Sequence, residues 1–233
     1  EFIFGGRGLA ADGVGNLYTI YVNQGVQILK MSNCQAMLFA DIKPLLGTGP
    51  ASFLSSASGI TADSTGNVYV STLNGAIFKI NTKGEIALFA GAVGTAGHAD
   101  GQGAAARFST LGNMTIDSAG NVYVVDGLYY SVNKVGPTIR KITPSGLVST
   151  LAGNPNAKPG YADGAGTAAL FTVSEDSYGT ATTASIAVDN QGNVYVSDFA
   201  NSVIRKIAVN GQVSTPVGQA WRYGFAAGDL PGI

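Results

Sequence analysis

The chain is poor in the side chains on which metal sites and most catalytic sites depend. Its 233 residues include one cysteine, Cys34, and one histidine, His98. One cysteine excludes an intrachain disulfide. One cysteine and one histidine are also too few to form a structural zinc site, which needs four Cys or His ligands. Charged residues make up 12% of the chain, and 13 basic against 14 acidic residues give a net charge of -1 without any block of like charge. The basic footprint of a nucleic-acid-binding protein is therefore missing.

Long apolar runs are missing as well. No stretch reaches the roughly 18 to 20 apolar residues of a membrane-spanning helix, so no membrane span is predicted. Glycine, by contrast, is abundant, with 33 residues, and 45% of the chain is hydrophobic. This composition is too apolar for a disordered chain and favours a packed, turn-rich all-β protein. Low charge with many small polar residues leads us to expect an extracellular or periplasmic bacterial protein, although one cysteine also fits the cytoplasm.

A hairpin motif occurs four times, in copies that begin at residues 8, 59, 113 and 185. Each copy contains Asp-x-x-Gly-Asn, then an apolar residue and Tyr. Asp accepts backbone hydrogen bonds in such turns and Gly takes a positive φ without steric cost, so the motif predicts a structural turn between two strands. A calcium loop needs alternating oxygen ligands and a closing Glu, which no copy has, so calcium is not supported and no cofactor is predicted. The four turn aspartates are Asp12, Asp63, Asp117 and Asp189.

Two more strands follow each hairpin. The third ends in a Lys and an apolar residue, as in AIFKI (76–80) and TIRKI (138–142), and the fourth resembles LVSTLAG (147–153). A four-stranded antiparallel meander cannot bury both faces alone, and radial stacking of such meanders makes a β-propeller. We therefore predict one β-propeller region over 1–233. Its blades are predicted at 7–40, 58–91, 112–153 and 184–218, with 219–233 as a linker toward a further blade.

The order Gly-Ile-x-Val-Asp-x-x-Gly-Asn-Val-Tyr-Val-x-Asp, then Asn-x-x-Ile-Arg-Lys-Ile and Val-Ser-Thr-Leu-Ala-Gly, resembles the NHL repeat of exported bacterial proteins. The fourth copy follows it almost throughout, whereas the first has Tyr21 where the fourth has Asp198. The segments 97–108 and 160–171 resemble the linker of the same family. We expect each to form a Gly-rich turn and a short helical turn whose Ala and Phe pack on the inner strand of the next blade.

The number of blades leaves three arrangements open. Propellers of the family usually close with six blades and sometimes five, so four repeats suggest a fragment of a larger propeller, a four-bladed ring, or an open arc completed by another chain. An open propeller exposes the apolar faces of its end blades and invites pairing. We therefore favour a fragment or a self-associating arc over a monomeric ring.

Strand order separates two faces of the predicted propeller. The turns between first and second strands and between third and fourth strands are short and share one face, which we call the turn face. The loops between second and third strands and between blades share the opposite face, the loop face, and vary in length. Binding residues gather on such loops. The candidate binding residues on the loop face are His98, Arg107, Tyr129, Tyr130, Tyr161, Trp221, Arg222 and Tyr223.

The resemblance implies a non-catalytic scaffold, because NHL propellers mostly act as interaction platforms, and aromatic side chains with scattered polar groups suit a protein or carbohydrate partner. One alternative is a structural subunit of a surface assembly or filament that pairs through open blade edges. Another is a calcium-dependent lactonase-like hydrolase or lyase. The many serines have only one histidine to serve as a base, no nucleophile-elbow sequence appears, and no glutamate lies on a predicted inner strand. The residues therefore favour a protein that is not an enzyme, and no catalytic residue is predicted. Asp126 and Asp198 are expected to pair with Arg140 and Arg205 as structural ion pairs.

Overall fold

Each copy of the repeat folds into one antiparallel sheet whose strands lie in chain order. The computed structural model of the chain describes residues 6–22, 26–45, 57–127, 136–172 and 184–220. These ranges contain four antiparallel sheets, which we call blades 1 to 4. The fold predicted from the sequence, a β-propeller of antiparallel meander blades, is confirmed.

Blades 1 and 2 have four strands each. Blade 1 consists of β1 (Gly6–Ala11), β2 (Leu17–Val22), β3 (Val26–Ser32) and β4 (Gln35–Asp41), followed by a short 3-10 helix, Lys43–Leu45. Blade 2 consists of β5 (Ala57–Ala62), β6 (Val68–Thr72), β7 (Ala76–Ile80) and β8 (Ile86–Gly91).

Blades 3 and 4 have five strands each, because the linker before each blade adds a strand. Blade 3 consists of β9 (Gly101–Gln102), β10 (Leu111–Ile116), β11 (Val122–Asp126), β12 (Thr138–Ile142) and β13 (Leu147–Ala152), with a 3-10 helix at Gly103–Ala105. Blade 4 consists of β14 (Gly164–Ala165), β15 (Ile186–Val188), β16 (Val194–Asp198), β17 (Val203–Ile207) and β18 (Gln212–Val217), with 3-10 helices at Gly166–Ala168 and Phe199–Asn201.

The hydrophobic core lies between consecutive blades. Side chains of a strand point alternately to the two sides of its sheet, and β11 shows the result. Val122 and Val124 pack toward blade 2, whereas Tyr123 and Val125 pack toward blade 4. We call the side of a blade that faces the next blade its front and the other side its back.

The two linkers differ from the sequence prediction. They do form short helical turns, and Phe108 and Phe171 are fully buried between blades. However, β9 and β14 also pair with the outermost strands β13 and β18 of the blade that follows. They pair at the end that borders the turn face, where the Gly103 N–H donates to the Gly146 carbonyl and the Gly166 N–H to the Gly211 carbonyl. Each linker therefore crosses the full height of the propeller and covers an outer strand edge that would otherwise be unpaired.

The turn between third and fourth strands touches the preceding blade through a glycine. Gly84 of blade 2 has a φ of +82°, and a Cβ atom there would lie 2.7 Å from the Phe39 carbonyl oxygen of blade 1. The equivalent glycines approach the preceding blade less closely, since a Cβ would lie 3.3 Å from the Phe89 carbonyl oxygen at Gly146 and 3.7 Å from the Leu151 carbonyl oxygen at Gly211. Blade 1 lacks this glycine, because Asn33 and Cys34 form its turn with φ values of 50° and 60°.

We expect Gly84→Ala to destabilise the fold more than Gly15→Ala. Both glycines have a positive φ, +82° and +91°, but no atom lies within 4 Å of a Cβ built at Gly15. Gly15→Ala should cost roughly 1–2 kcal/mol for the left-handed conformation alone. Gly84→Ala should cost about 1–3 kcal/mol more, because the outer strand of blade 1 must shift. Denaturant unfolding of both variants measures the difference, and equal losses would show that the blades do not meet at Gly84.

Candidate binding surfaces

Each turn aspartate accepts at least four hydrogen bonds from its own hairpin, and Asp63 accepts a fifth from the Thr65 hydroxyl. In blade 3, one Asp117 carboxylate oxygen accepts from the N–H groups of Ala119 (3.0 Å) and Asn121 (2.8 Å). The other accepts from the Asn121 side-chain amide (2.8 Å) and the Tyr123 hydroxyl (3.0 Å). The same four donors meet Asp12, Asp63 and Asp189 in the other blades. A carboxylate has about four acceptor sites, so these groups hold the hairpin together and have little capacity left for a metal ion.

These hydrogen bonds favour the charged form of the carboxylate. Partial burial raises the pKa of Asp117, but the hydrogen bonds from Asn121, Tyr123 and Ala119 lower it further, so the pKa lies below its ordinary value. The pKa values of Asp12, Asp63 and Asp189 are lowered too. Burial, together with the hydrogen bond to Asp12, raises the pKa of Tyr18 to about 12. The Tyr hydroxyl therefore remains a donor to the Asp throughout the physiological pH range.

A depression of about 460 Å³ lies on the turn face, where the first turns of blades 1, 2 and 3 meet. Its lining comes from residues 11–13, 62–65 and 116–120. The residues after the three aspartates are small, namely Gly13, Ser64 and Ser118, which leaves room between the turns. The sequence interpretation had assigned only a structural role to this face, because short turns carry no information about the space between them.

A buried arginine in blade 3 ties the linker to the blade. Arg140 is fully buried and donates to Asp126 on β11 (2.8 Å) and to Asp100 in the linker (2.7 Å). Its guanidinium also lies 5.0 Å from the ring centroid of Phe108. The Thr150 N–H and hydroxyl donate to Asp100 as well, which joins the linker to β13. The predicted pairing of Asp126 with Arg140 is thus confirmed, and Asp100 is a further partner that the sequence interpretation missed.

Blade 4 repeats this arrangement. Arg205 donates to Asp198 (2.9 Å) and to Asp163 in the second linker (2.8 Å). Its guanidinium lies 4.8 Å from the Phe171 ring centroid and 4.9 Å from that of Tyr161. Burial raises the pKa of Asp198, against the opposing effect of hydrogen bonds from Asn201, Thr172 and Arg205.

Blades 1 and 2 use uncharged side chains at the same places. The register of β6 with β7 places Phe78 opposite Val70, as Arg140 lies opposite Val124 in blade 3. Thr72 takes the position of Asp126 at the end of the second strand. In blade 1 the corresponding residues are Leu29 and Tyr21. The buried ion pairs are therefore a property of the two blades that follow a Gly-rich linker.

The three described candidate residues of the loop face are all parts of these linkers. The His98 Nδ1 atom lies 3.8 Å from an Asp126 carboxylate oxygen, and within the described ranges it has no hydrogen-bond partner. Arg107 donates to the carbonyl groups of Ala104 and Ala106 at 2.7 Å. Tyr161 stacks on Arg205 and donates to Thr215 at 3.0 Å. His98 and Arg107 belong to one linker and Tyr161 to the other, so the structure does not bring the three into one cluster.

The remaining candidates, Tyr129, Tyr130, Trp221, Arg222 and Tyr223, lie outside the described residues. An exposed aromatic that the sequence interpretation missed is Phe199, which is 52% exposed. It lies between the second and third strands of blade 4, on the loop face, in the 3-10 helix that the Asn201–Asp198 hydrogen bond (2.9 Å) fixes. The signal for it was an aromatic residue directly after the strand-ending Asp198.

In the part of the chain that the structure describes, no three His, Cys, Asp or Glu side chains come together in an arrangement that could hold a metal ion. No helix there has the length and apolar character needed to cross a membrane.

The chain is similar in fold to solved bacterial structures. A Bacteroides thetaiotaomicron protein of unknown function is 25% identical with a TM-score of 0.63, over 86% of this chain and 46% of that one. An auxiliary nutrient binding protein from Bacteroides ovatus is 22% identical with a TM-score of 0.61, over 91% and 48%. A catalytically inactive virginiamycin B lyase from Staphylococcus aureus, with quinupristin, is 14% identical with a TM-score of 0.53, over 91% and 56%. The chain thus spans about half the length of these structures. No protein-family model and no curated protein matches it.

We expect Asp117→Asn to lower the free energy of unfolding at pH 7 by about 1–2 kcal/mol, because the new amide would oppose the Asn121 amide, donor against donor. The folded-state pKa of Asp117 lies below the ordinary value of 3.8. The charged Asp117 carboxylate therefore adds to the free energy of unfolding above pH 3.8, and this stabilisation is lost as the pH falls below that value. In denaturant unfolding between pH 3 and 7, the free energy of unfolding should fall less steeply toward pH 3 in Asp117→Asn than in the unsubstituted chain. Asp41→Asn, at an exposed aspartate that accepts from the Lys43 N–H, is the control and should change little.

The chain itself supplies a test of the buried ion pair. Arg140→Phe should cost about 3–5 kcal/mol of unfolding free energy, because Asp126 would stay buried without its cation. Adding Asp126→Thr copies the Phe78 and Thr72 combination of blade 2 and should recover a large part of that loss. Thermal or denaturant unfolding of the single and double variants measures both losses. If the double variant is no more stable than Arg140→Phe alone, the unpaired Asp126 carboxylate is not the cause of the lost unfolding free energy.

Proposed function

We propose that the chain is a non-catalytic binding scaffold of the NHL-repeat type whose ligand contacts the loop face. The observation that carries the proposal is that the buried charged side chains are all occupied in ion pairs that hold the structure together. Arg140, Arg205, Asp126 and Asp198 are all fully buried and all paired with one another or with the linkers. Together with the saturated turn carboxylates, they fix the blades and linkers in place. Segments held in this way present their side chains without a large ordering cost on binding.

The loop face offers the kind of side chain that anchors a ligand. Phe199 is half exposed on a short helix in which the Ser202 N–H donates to the Phe199 carbonyl and the Asn201 side chain donates to the Asp198 carboxylate. Rigid exposed aromatic side chains are frequent energetic centres of binding surfaces. Lys158 is also exposed, in the linker before Tyr161. These residues and the candidate residues of the sequence analysis fit a protein or a neutral carbohydrate ligand.

The similar structures add support at the level of fold. A nutrient binding protein with this architecture shows that the fold can serve binding. By the same similarity we propose an extracellular or periplasmic location. The lyase shares the fold as well, but no grouping of residues in the described ranges favours the hydrolase or lyase alternative. The NHL assignment rests on the motifs of the sequence.

We expect a neutral oligosaccharide to bind through Phe199. Isothermal titration with xylo-, manno-, malto- and cello-hexaose provides defined probes. Phe199→Ala should weaken binding by about tenfold or more without changing thermal stability, since the side chain is half exposed. Ser118→Arg, which blocks the depression on the turn face, is the matched control and should bind normally. Loss of binding in Ser118→Arg alone would contradict the loop-face assignment, and no binding of any hexaose would contradict the carbohydrate ligand.

A further inference from the structure

His98 and Tyr161 occupy the same position in the two linkers, directly before the Ala-Asp-Gly sequence. The polar group of Tyr161 is already used, because its hydroxyl donates to Thr215 at 3.0 Å and its ring stacks on Arg205. His98 differs in this respect. Neither of its ring nitrogens makes a hydrogen bond within the described ranges, and Nδ1 is the buried one. The first linker therefore keeps a polar atom, Nε2, that the protein itself does not use.

The backbone on both sides of His98 is held to the end of its own linker. The Gly97 N–H donates to the Phe108 carbonyl at 3.0 Å, and the Arg107 N–H donates to the Ala99 carbonyl at 2.9 Å. The Ala99 carbonyl also accepts from the buried arginine of blade 3 at 3.1 Å. The imidazole ring, whose side chain is 23% exposed, therefore projects from a fixed segment and loses little freedom when a ligand binds to it.

Asp126 decides which ring nitrogen of His98 carries the proton. The Asp126 carboxylate is fully buried, and its two oxygens accept from the Ser109 N–H (2.7 Å) and from Arg140 (2.8 Å). The Oδ2 atom that accepts from Arg140 lies 3.8 Å from His98 Nδ1. A lone pair on the buried Nδ1 would be repelled by this oxygen, whereas an N–H would be attracted to it. Because a neutral imidazole has one N–H and one acceptor nitrogen, Asp126 favours Nδ1–H and leaves the acceptor at Nε2.

The carboxylate nearest to His98 along the linker is already occupied. Asp100 is half exposed, but its oxygens accept hydrogen bonds from Arg140 and from the N–H and hydroxyl groups of Thr150. The Nε2 atom is thus the acceptor that remains for a ligand. A neutral acceptor suits a neutral donor such as a hydroxyl group, because no charge then has to leave water on binding.

We propose that His98 contacts the ligand on the loop face, where its Nε2 atom accepts a hydrogen bond from a hydroxyl group of a neutral carbohydrate, with Asp126 as its positioning residue. This inference rests on the proposed function, since it names a polar contact of the same ligand. Phe199 supplies an apolar contact in blade 4, and His98 supplies the polar contact before blade 3. The buried pair of Asp126 and Arg140 then has a second role, which is to fix the tautomer of the ring.

Nitrogen-15 NMR of the ligand-free chain tests the tautomer. The chain has one histidine, so the ring signals report this site directly. In alkaline solution, where imidazole is uncharged, Nδ1 should carry the proton and Nε2 should not. In the double variant Arg140→Phe, Asp126→Thr, the proton should move to Nε2, as in a free histidine side chain. A proton on Nε2 in the natural chain would overturn the proposal, and an unchanged tautomer in the double variant would overturn the positioning role of Asp126.

Isothermal titration with the same four hexaoses measures the contact itself. His98→Phe keeps a ring but lacks the acceptor, so it should weaken binding about three- to tenfold. His98→Gln places an amide oxygen near the position of Nε2 and should retain most of the affinity. Tyr161→Phe is the matched control at the same position of the second linker. It should bind normally, because the Tyr161 hydroxyl is used by Thr215.

Failure of this contact is distinguishable from failure of the carbohydrate function. A hexaose that binds His98→Phe as tightly as the natural chain overturns the His98 contact and leaves the carbohydrate function in place. If no hexaose binds the natural chain, the carbohydrate ligand is wrong and the contact falls with it, whereas the NMR spectrum of the ligand-free chain still decides the tautomer. Unchanged thermal unfolding of His98→Phe shows that a loss of affinity is not a loss of fold.

Discussion

Packing of one blade against the next is the interaction on which the rest of this structure depends. A blade is one sheet with two apolar sides, and neither side can be buried within the repeat itself. The alternation of Val122, Tyr123, Val124 and Val125 along β11 serves two interfaces at once. The turn aspartates, the glycines between third and fourth strands, and the linkers all fix the edges of the blades that pack against one another.

The joints do not all use the same chemistry at their centre. Where a Gly-rich linker is inserted, a buried arginine joins two carboxylates and stacks on a buried phenylalanine, as in Arg140 with Phe108. In blade 2, which the Ala-Asp-Gly linker sequence does not precede, the buried Phe78 takes the register position of Arg140. A buried ion pair is seldom more stabilising than a well-packed apolar group, but it discriminates strongly against a misplaced partner. We therefore interpret the arginines as fixing where the linker lies.

Local features of this fold could be predicted from the sequence, and features between distant segments could not. The Asp-x-x-Gly-Asn turn depends on residues within six positions of one another, so its hydrogen bonds follow from the motif. The meander order of strands and the pairing of Asp126 with Arg140 follow from repeat position in the same way. The path of the linker does not, because β9 pairs with β13, more than 40 positions away in sequence. Asp100 and Asp163 recur in an Ala-Asp-Gly sequence, which was a signal, but their partner is an arginine of the next blade.

Hydrogen exchange resolved by blade is the most direct test of the claim that blade-on-blade packing holds the fold together. At a concentration where the chain is monomeric, the amides of β6, β7, β11 and β12 belong to blades covered on both sides. We expect them to exchange most slowly, and the corresponding strands β2, β3, β16 and β17 of blades 1 and 4 to exchange faster, because among the described residues each of these two blades packs against one neighbouring blade only. Equal protection of all four blades would contradict this expectation, since hydrogen bonding within each sheet would then suffice without the neighbouring blade.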